Sequence, residues 1–208
     1  MSERQLLAMV IFLVALVTGL GLFWHPDLPE SPLPAVANPV APSATAPGGG
    51  DFTLQSADGP VALADFRGKA VLLFFGYTYC PDICPTALST VATALNQLSA
   101  EELADVAVIF VSVDPKRDTP ARLKEYVAFF HPAIVGVTGS PEAVAEIARR
   151  YGVFYAEQKA ATAGGGYVVD HSADTYVIGR DGRLRGALPH GAMPEQVAAE
   201  IHKILTSP

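Results

Sequence analysis

Two of the 208 residues are cysteines, and both lie in Tyr77-Thr78-Tyr79-Cys80-Pro81-Asp82-Ile83-Cys84-Pro85. The spacing is Cys-x-x-x-Cys. On a helical turn, residues four apart share a face, with Cβ atoms roughly 5–6 Å apart. Two sulfurs so placed can converge on one ion, or form a disulfide after local rearrangement. The segment joins the apolar run Ala70–Tyr77 to a helix-period run, so the thiols fall at a strand-to-helix junction. A helix N-terminus favours thiolate, the form that binds metal and attacks disulfides. Thiolates are soft ligands that suit Cu(I), and they suit zinc when two further ligands are present. The plainer alternative is an inert buried pair or a structural bridge. Such a bridge closes a tiny loop and gains little entropy.

A third donor must come from elsewhere in the chain. Of the five histidines, His25 follows an apolar run, His131 ends a predicted helix and His202 sits within one. Surface or capping roles suffice for these three. His171 stands apart, in Val169-Asp170-His171-Ser172, just before a predicted strand. It follows the Ala/Gly-rich stretch Ala160–Gly166, expected to be a mobile loop. Such a loop can approach the cysteine turn, and Asp170 is the expected partner that orients the His171 ring. His190, near Met193, is a rival soft-metal residue.

The elements that must position these residues divide into three parts: 1–24, 25–50 and 51–208. Residues 6–24 hold 16 apolar residues in 19 and no charge. As a helix this run spans about 28 Å, close to a bilayer core of about 30 Å. It is longer than the apolar region of a cleaved signal peptide. Arg4 precedes it, and Asp27 and Glu30 follow, which places the N-terminus in the cytoplasm and the rest outside. Residues 25–50 hold seven of the 17 prolines and end in three glycines, as a tether would. The remaining residues are enough to bury a core of their own. Their pattern predicts a hairpin around Asp58-Gly59 and a central strand over 70–77. A helix follows over 86–98 and a second central strand over 106–113. Helices are also expected from Thr119-Pro120 to about 130, from Ser140-Pro141 to 151 and over 194–205. Strands at 134–137, 175–178 and 184–187 complete the pattern. The alternation implies an α/β, thioredoxin-like fold with a mixed central sheet. Two cysteines exclude a disulfide-dense scaffold and a four-thiolate zinc site. A net charge of -7 argues against an electrostatic nucleic-acid partner.

Three ordered motifs carry a family resemblance: Gly76-Tyr-Thr-Tyr-Cys80-Pro-Asp-Ile-Cys84-Pro85, Val111-Ser-Val-Asp114-Pro-Lys-Arg-Asp118-Thr-Pro120 and Val169-Asp170-His171-Ser172. Together they resemble the Sco/SenC family, over nearly all of 51–208. The resemblance implies a thioredoxin-like domain that binds copper, as Cu(I) and also as Cu(II) with a further donor. It implies Cys80, Cys84 and His171 as ligands, and Asp114 as a characteristic supporting residue. The implied function is a metallochaperone assisting the CuA centre of cytochrome c oxidase subunit II. The implied place is a bacterial-type inner membrane with the domain in the periplasm. A periplasmic copper chaperone or thiol reductase is the further partner. The competing activity is thiol–disulfide exchange by Cys80 and Cys84, which would keep the cysteines of subunit II reduced. A peroxiredoxin-type peroxidase is disfavoured by the cysteine pair. One departure is plain: Tyr79 stands where members often carry His.

Overall fold

The computed structural model describes residues 3–23, 48–159 and 166–207. The chain divides into two compact units, Met1–Ala41 and Pro42–Pro208. The first contributes helix α1 (Glu3–Phe23), whose run of Leu, Ala, Val and Met has no internal proline to break it. Among the described residues no helix is long and apolar enough to cross a membrane. The transmembrane segment expected over 6–24 is therefore matched as a helix through Phe23 and not as a membrane crossing, and residue 24 lies outside the described residues. Of the tether expected over 25–50, only Gly48–Gly50 lie within the described residues. Gly49 donates its amide to the Arg150 carbonyl at 3.1 Å. The Tyr151 hydroxyl donates to the Gly50 carbonyl at 3.0 Å.

The second unit begins with a hairpin, β1 (Thr53–Ser56) and β2 (Gly59–Ala62). Then come β3 (Ala70–Gly76), α2 (Ile83–Leu95), α3 (Ala100–Ala104), β4 (Val106–Ser112), α4 (Pro120–Ala128), β5 (Ile134–Val137) and α5 (Pro141–Tyr151). A second hairpin, β6 (Tyr155–Lys159) and β7 (Tyr167–His171), precedes β8 (Thr175–Ile178), β9 (Leu184–Leu188) and α6 (Pro194–Thr206). The central sheet has the order β5-β4-β3-β8-β9. Strands β3, β4 and β5 run parallel, whereas β8 and β9 are antiparallel to their neighbours. This is the mixed α/β sheet that the alternation of patterns implies. Every residue of β3 and β4 is buried, so both faces of the sheet centre are covered. Burying each of Phe74, Phe75 and Phe110 is worth about 1.5–3 kcal/mol.

Register explains why the site forms where it does. Gly76 of β3 pairs with Ser112 of β4, so the loops after both strands leave the sheet at one edge. Thr175 opens β8 opposite Phe74, so the chain enters β8 at that same edge. Three distant segments are thereby brought together at the carboxyl ends of parallel strands, where α/β sheets hold ligands.

Four details differ from the sequence reading. Helix α2 begins at Ile83, before Pro85, because a proline in the first turn sacrifices no intrahelical bond. The short α3 is set by a capping box of Ser99 and Glu102. The first hairpin turns on Ala57 and Asp58, with Ser56 opposite Gly59. The β6–β7 hairpin was not expected, since Tyr155–Lys159 has no apolar alternation. The mobile loop expected over 160–166 lies outside the described residues, apart from Gly166.

Candidate metal centre

The cysteine loop starts from a glycine that nothing larger could replace in place. A Cβ on Gly76 would lie 2.5 Å from Cys84 Sγ and 2.9 Å from the Phe110 ring. Beyond it, the Cys80 amide donates to the Tyr77 carbonyl at 3.2 Å and closes a turn. Cys80 thus sits ahead of α2, and Cys84 is the helix's second residue. The two are not on one helical face, as simple i, i+4 geometry suggests. They meet because the turn folds back over the helix start, where the Cys84 amide donates to Cys80 Sγ at 3.5 Å. Both cysteines are free and buried, Cys84 completely.

The two thiols are driven apart electrostatically. The Cys84 thiol donates a hydrogen bond to Cys80, and this pulls the Cys80 pKa down to about 5 despite burial. The amides of Cys84 and Asp82 act in the same direction. Cys84 is pushed well up, first by that hydrogen bond and then by burial. The pair therefore holds one proton, with Cys80 as thiolate.

His171 reaches this pair from the last position of β7. Its Nε2 stands 3.2 Å from Cys84 Sγ. Its Nδ1 lies 3.1 Å from the Val169 carbonyl, which can only accept, so Nδ1 carries the proton and Nε2 presents its lone pair. The ring is flanked edge-on by Tyr77 at 5.5 Å and Phe74 at 6.5 Å. The donor atoms of Cys80, Cys84 and His171 all lie within 4.8 Å of one another. Bonds of about 2.0–2.3 Å, typical for these donors on a metal such as zinc, allow donor separations up to about 4.6 Å. Two thiols and one imidazole at this spacing fit a soft ion with little adjustment.

Asp170 does not take part in that arrangement. Asp170 is exposed on the rim of the cleft beside His171, on the opposite face of β7 from the ring. The Val169 carbonyl does the orienting expected of it.

Asp114 is buried in the loop after β4. Its Oδ1 accepts from the Tyr167 hydroxyl at 2.7 Å, and its other oxygen pairs with Arg117. Arg117 Nη1 donates to the Tyr167 carbonyl at 2.9 Å, and the guanidinium carbon stands 3.7 Å over the Tyr167 ring. Asp118 lies in the second motif, where its sequence context alone assigns it no role. It is fully buried and accepts from the Thr78 amide at 2.9 Å, the Thr78 hydroxyl at 2.6 Å and the Ser112 hydroxyl at 2.7 Å. Tyr77 was missed as well. Its hydroxyl accepts the Val169 amide at 3.2 Å and ties the cysteine loop to β7. No local pattern marks Asp118, because its partners Thr78 and Ser112 are brought to it by the pairing of β3 with β4.

An open cleft of about 530 Å³ gives access, lined by Tyr77, Cys80, Ile83, Phe154, Val168 and His171 among others. Cys80 and His171 face it; Cys84 lies behind them. Tyr79 is outside the lining, with Arg122 at 4.3 Å and Arg117 at 4.6 Å from its ring. The other described histidines lie elsewhere. His131 is buried and accepts the Ala133 amide at 3.1 Å, His202 lies 3.0 Å from Glu102, and His190 sits in an exposed turn. His25 is outside the described residues.

The SCO1/SenC family model matches residues 40–206. An SCO2-like protein of Rickettsia conorii is 35% identical over 178 residues, covering 84% of this chain and 85% of its own. Among solved structures, ScoI of Bradyrhizobium japonicum with copper bound is 39% identical, with a TM-score of 0.67 over 76% of this chain and 99% of its own. BsSco, described as having a disulfide switch and as a member of the Sco family of cytochrome c oxidase assembly proteins, is 25% identical. Its TM-score is 0.60 over 77% of this chain and 95% of its own.

Proposed function

The chain belongs to the SCO1/SenC family, and on that premise we propose that it is a membrane-anchored copper metallochaperone serving the CuA centre of cytochrome c oxidase subunit II. The observation that carries this reading is the convergence of Cys80, Cys84 and His171 within 4.8 Å, at the floor of an open cleft. Copper is the cargo. Cys80, already a thiolate, is the entry ligand facing the cleft. Cys84 gives up its proton on binding and supplies the second sulfur, and His171 adds Nε2. A site with three protein donors leaves room for a partner's ligand to join before these let go. The apolar run at 6–24 anchors the chain in a bacterial-type inner membrane, with the domain on the periplasmic side.

A second reading is supported by the depressed Cys80 pKa beside a buried partner thiol. Cys80 thiolate attacks a disulfide of subunit II and forms a mixed disulfide. Cys84 then displaces the subunit's sulfur, so two electrons pass to subunit II and Cys80–Cys84 becomes the disulfide. A periplasmic thiol reductase must restore the dithiol.

Cu(I) titration of the full chain in detergent, competed by a chelator, tests the first reading against Cys80→Ala, Cys84→Ala and His171→Ala. Each variant is expected to bind far more weakly, and unchanged affinity in all three overturns the assignment. Metal counts on each partner after mixing the loaded chain with subunit II then test delivery. Disulfide exchange that survives His171→Ala while copper binding fails would favour the reductase reading.

A further inference from the structure

We infer that two buried carboxylates at the end of β4 position the two halves of the donor set separately: Asp118 sets the cysteine loop, and Asp114 sets the histidine strand. The inference rests on the ligand assignment proposed above and adds to it the residues that hold the ligands in register.

The need for such positioning comes from topology. The β6–β7 hairpin is a two-stranded sheet of its own, with no ladder to the five-stranded sheet that carries the cysteine loop. Beyond the short link 172–174 into β8, the approach of His171 to Cys84 is therefore set by side-chain contacts. Tyr167, Val169 and His171 occupy alternate positions of β7 and share one face, with Tyr167 about 13 Å from His171 along the strand. The whole Asp114 group acts on the Tyr167 end. Asp114 takes the Tyr167 hydroxyl, and Arg117, paired to Asp114, takes the Tyr167 carbonyl and covers the ring. The far end of the strand is closed by Ser172, whose amide donates to the Phe154 carbonyl at 2.8 Å. A strand pinned at both ends holds His171 in place.

Asp118 points to the other half. Its three hydrogen bonds come from Thr78 and Ser112, and Thr78 lies two residues before Cys80. Arg122 braces the same threonine, with Nε 2.8 Å from its hydroxyl. Among the described residues, no hydrogen bond joins Asp118 to β6 or β7, and none joins the Asp114 side chain to residues 77–84. A buried carboxylate is costly unless fully partnered. Each of these two gains partners from the segment it positions. Several contacts cross between the halves: the Tyr77 hydroxyl on the Val169 amide, the Tyr77 ring and Cys84 Sγ beside His171, and the Arg117 guanidinium over Tyr77 and Tyr79. Variants of Tyr77 and Arg117 would blur the division, as would removal of either carboxylate if the chain then failed to fold.

The test therefore uses Thr78→Val and Tyr167→Phe in the full chain in detergent. Each deletes one hydroxyl and keeps the shape. Hydrogen exchange of the metal-free protein, read by mass spectrometry, is the first measurement. Tyr167→Phe is expected to speed exchange in peptides covering 155–159 and 167–171 and to leave 77–84 unchanged. Thr78→Val is expected to do the reverse. Chelator competition for Cu(I) is the second measurement. Each variant should weaken binding by roughly threefold to tenfold, the scale of one lost hydrogen bond. In a His171→Ala background the effect of Tyr167→Phe should vanish, while that of Thr78→Val persists. Equal loosening of both segments by either variant overturns the inference, as does a Tyr167→Phe effect on copper that is indifferent to His171. If His171→Ala alone binds copper as the unaltered chain does, the ligand assignment fails, and the exchange patterns still decide the positioning.

Discussion

Cys84 Sγ and His171 Nε2 stand 3.2 Å apart across 87 residues of sequence. The Nε2 side of the imidazole is therefore turned toward that sulfur. The Val169 carbonyl fixes that orientation by accepting from Nδ1. Nitrogen NMR of the metal-free chain at neutral pH should find His171 with its proton on Nδ1. Because the Val169 carbonyl and not Asp170 holds Nδ1, Asp170→Asn should leave both this tautomer and copper affinity unchanged, within about the threefold spread of surface substitutions. A shift of the proton to Nε2, or a large loss of affinity in Asp170→Asn, would show that the aspartate orients the ring after all.

The asymmetric thiol pair has a pH signature. Cys80 is depressed from the usual thiol range to about 5, so above that pH it is a thiolate, and acid protonates it. Cys84 moves the other way and stays protonated throughout the neutral range. In the reduced, metal-free chain, iodoacetamide should modify Cys80 alone at pH 7. The rate should fall with a midpoint near pH 5 as acid is added. Cys84→Ala removes the donor that lowers Cys80, so the midpoint should move up toward the ordinary value of about 8.5. Mass spectrometry of the alkylated peptides reads both results. Equal modification of the two cysteines at pH 7 would contradict the proton-sharing arrangement.

The three residues of the donor cluster were legible in the sequence because their types are rare and their local contexts distinctive. Cys80, Cys84 and His171 converge, although a turn ahead of α2 and not a shared helical face brings the two sulfurs together. The central strands were legible too, because Ala70–Gly76 and Val106–Ser112 are continuous apolar runs buried on both faces. Helix starts at Thr119 and Ser140 were readable because a hydroxyl before proline marks an N-cap, and each side chain accepts an amide there. The hairpin carrying His171 was not readable. Its strands pack by single residues such as Val169 and by hydrogen bonds to remote loops, and neither leaves a periodic pattern. The role of Asp118 was hidden for the same reason: its partners, Thr78 and Ser112, are set by the register of β3 on β4, which no local pattern encodes.

Gly76 provides a packing test. A methyl group there would collide with Cys84 Sγ at 2.5 Å and the Phe110 ring at 2.9 Å. The fully buried cysteine would have to shift to make room. Gly76→Ala should cost about 1–3 kcal/mol, the usual penalty for overpacking a core. It should also weaken Cu(I) binding by displacing a ligand. Thermal unfolding and chelator competition measure the two effects. Unchanged stability together with unchanged affinity would mean that the strand end and helix start have slack that the structure does not show.

Tyr79 tests whether the residue next to Cys80 serves the metal or the loop. Its ring is half-exposed, lies outside the cleft lining and is bracketed by the guanidiniums of Arg117 and Arg122. Cation–π contacts at such exposed positions are worth about 0.5–1 kcal/mol each. Tyr79→Ala should therefore lower stability by roughly 1 kcal/mol, while copper affinity changes little. Tyr79→His introduces a potential donor, yet the backbone that carries it directs the side chain toward the two arginines rather than the cleft. Copper-edge X-ray absorption of Tyr79→His should accordingly count the same single imidazole as the unaltered chain. A second imidazole in that spectrum would place residue 79 within reach of the metal and overturn the assignment of Tyr79 to the loop.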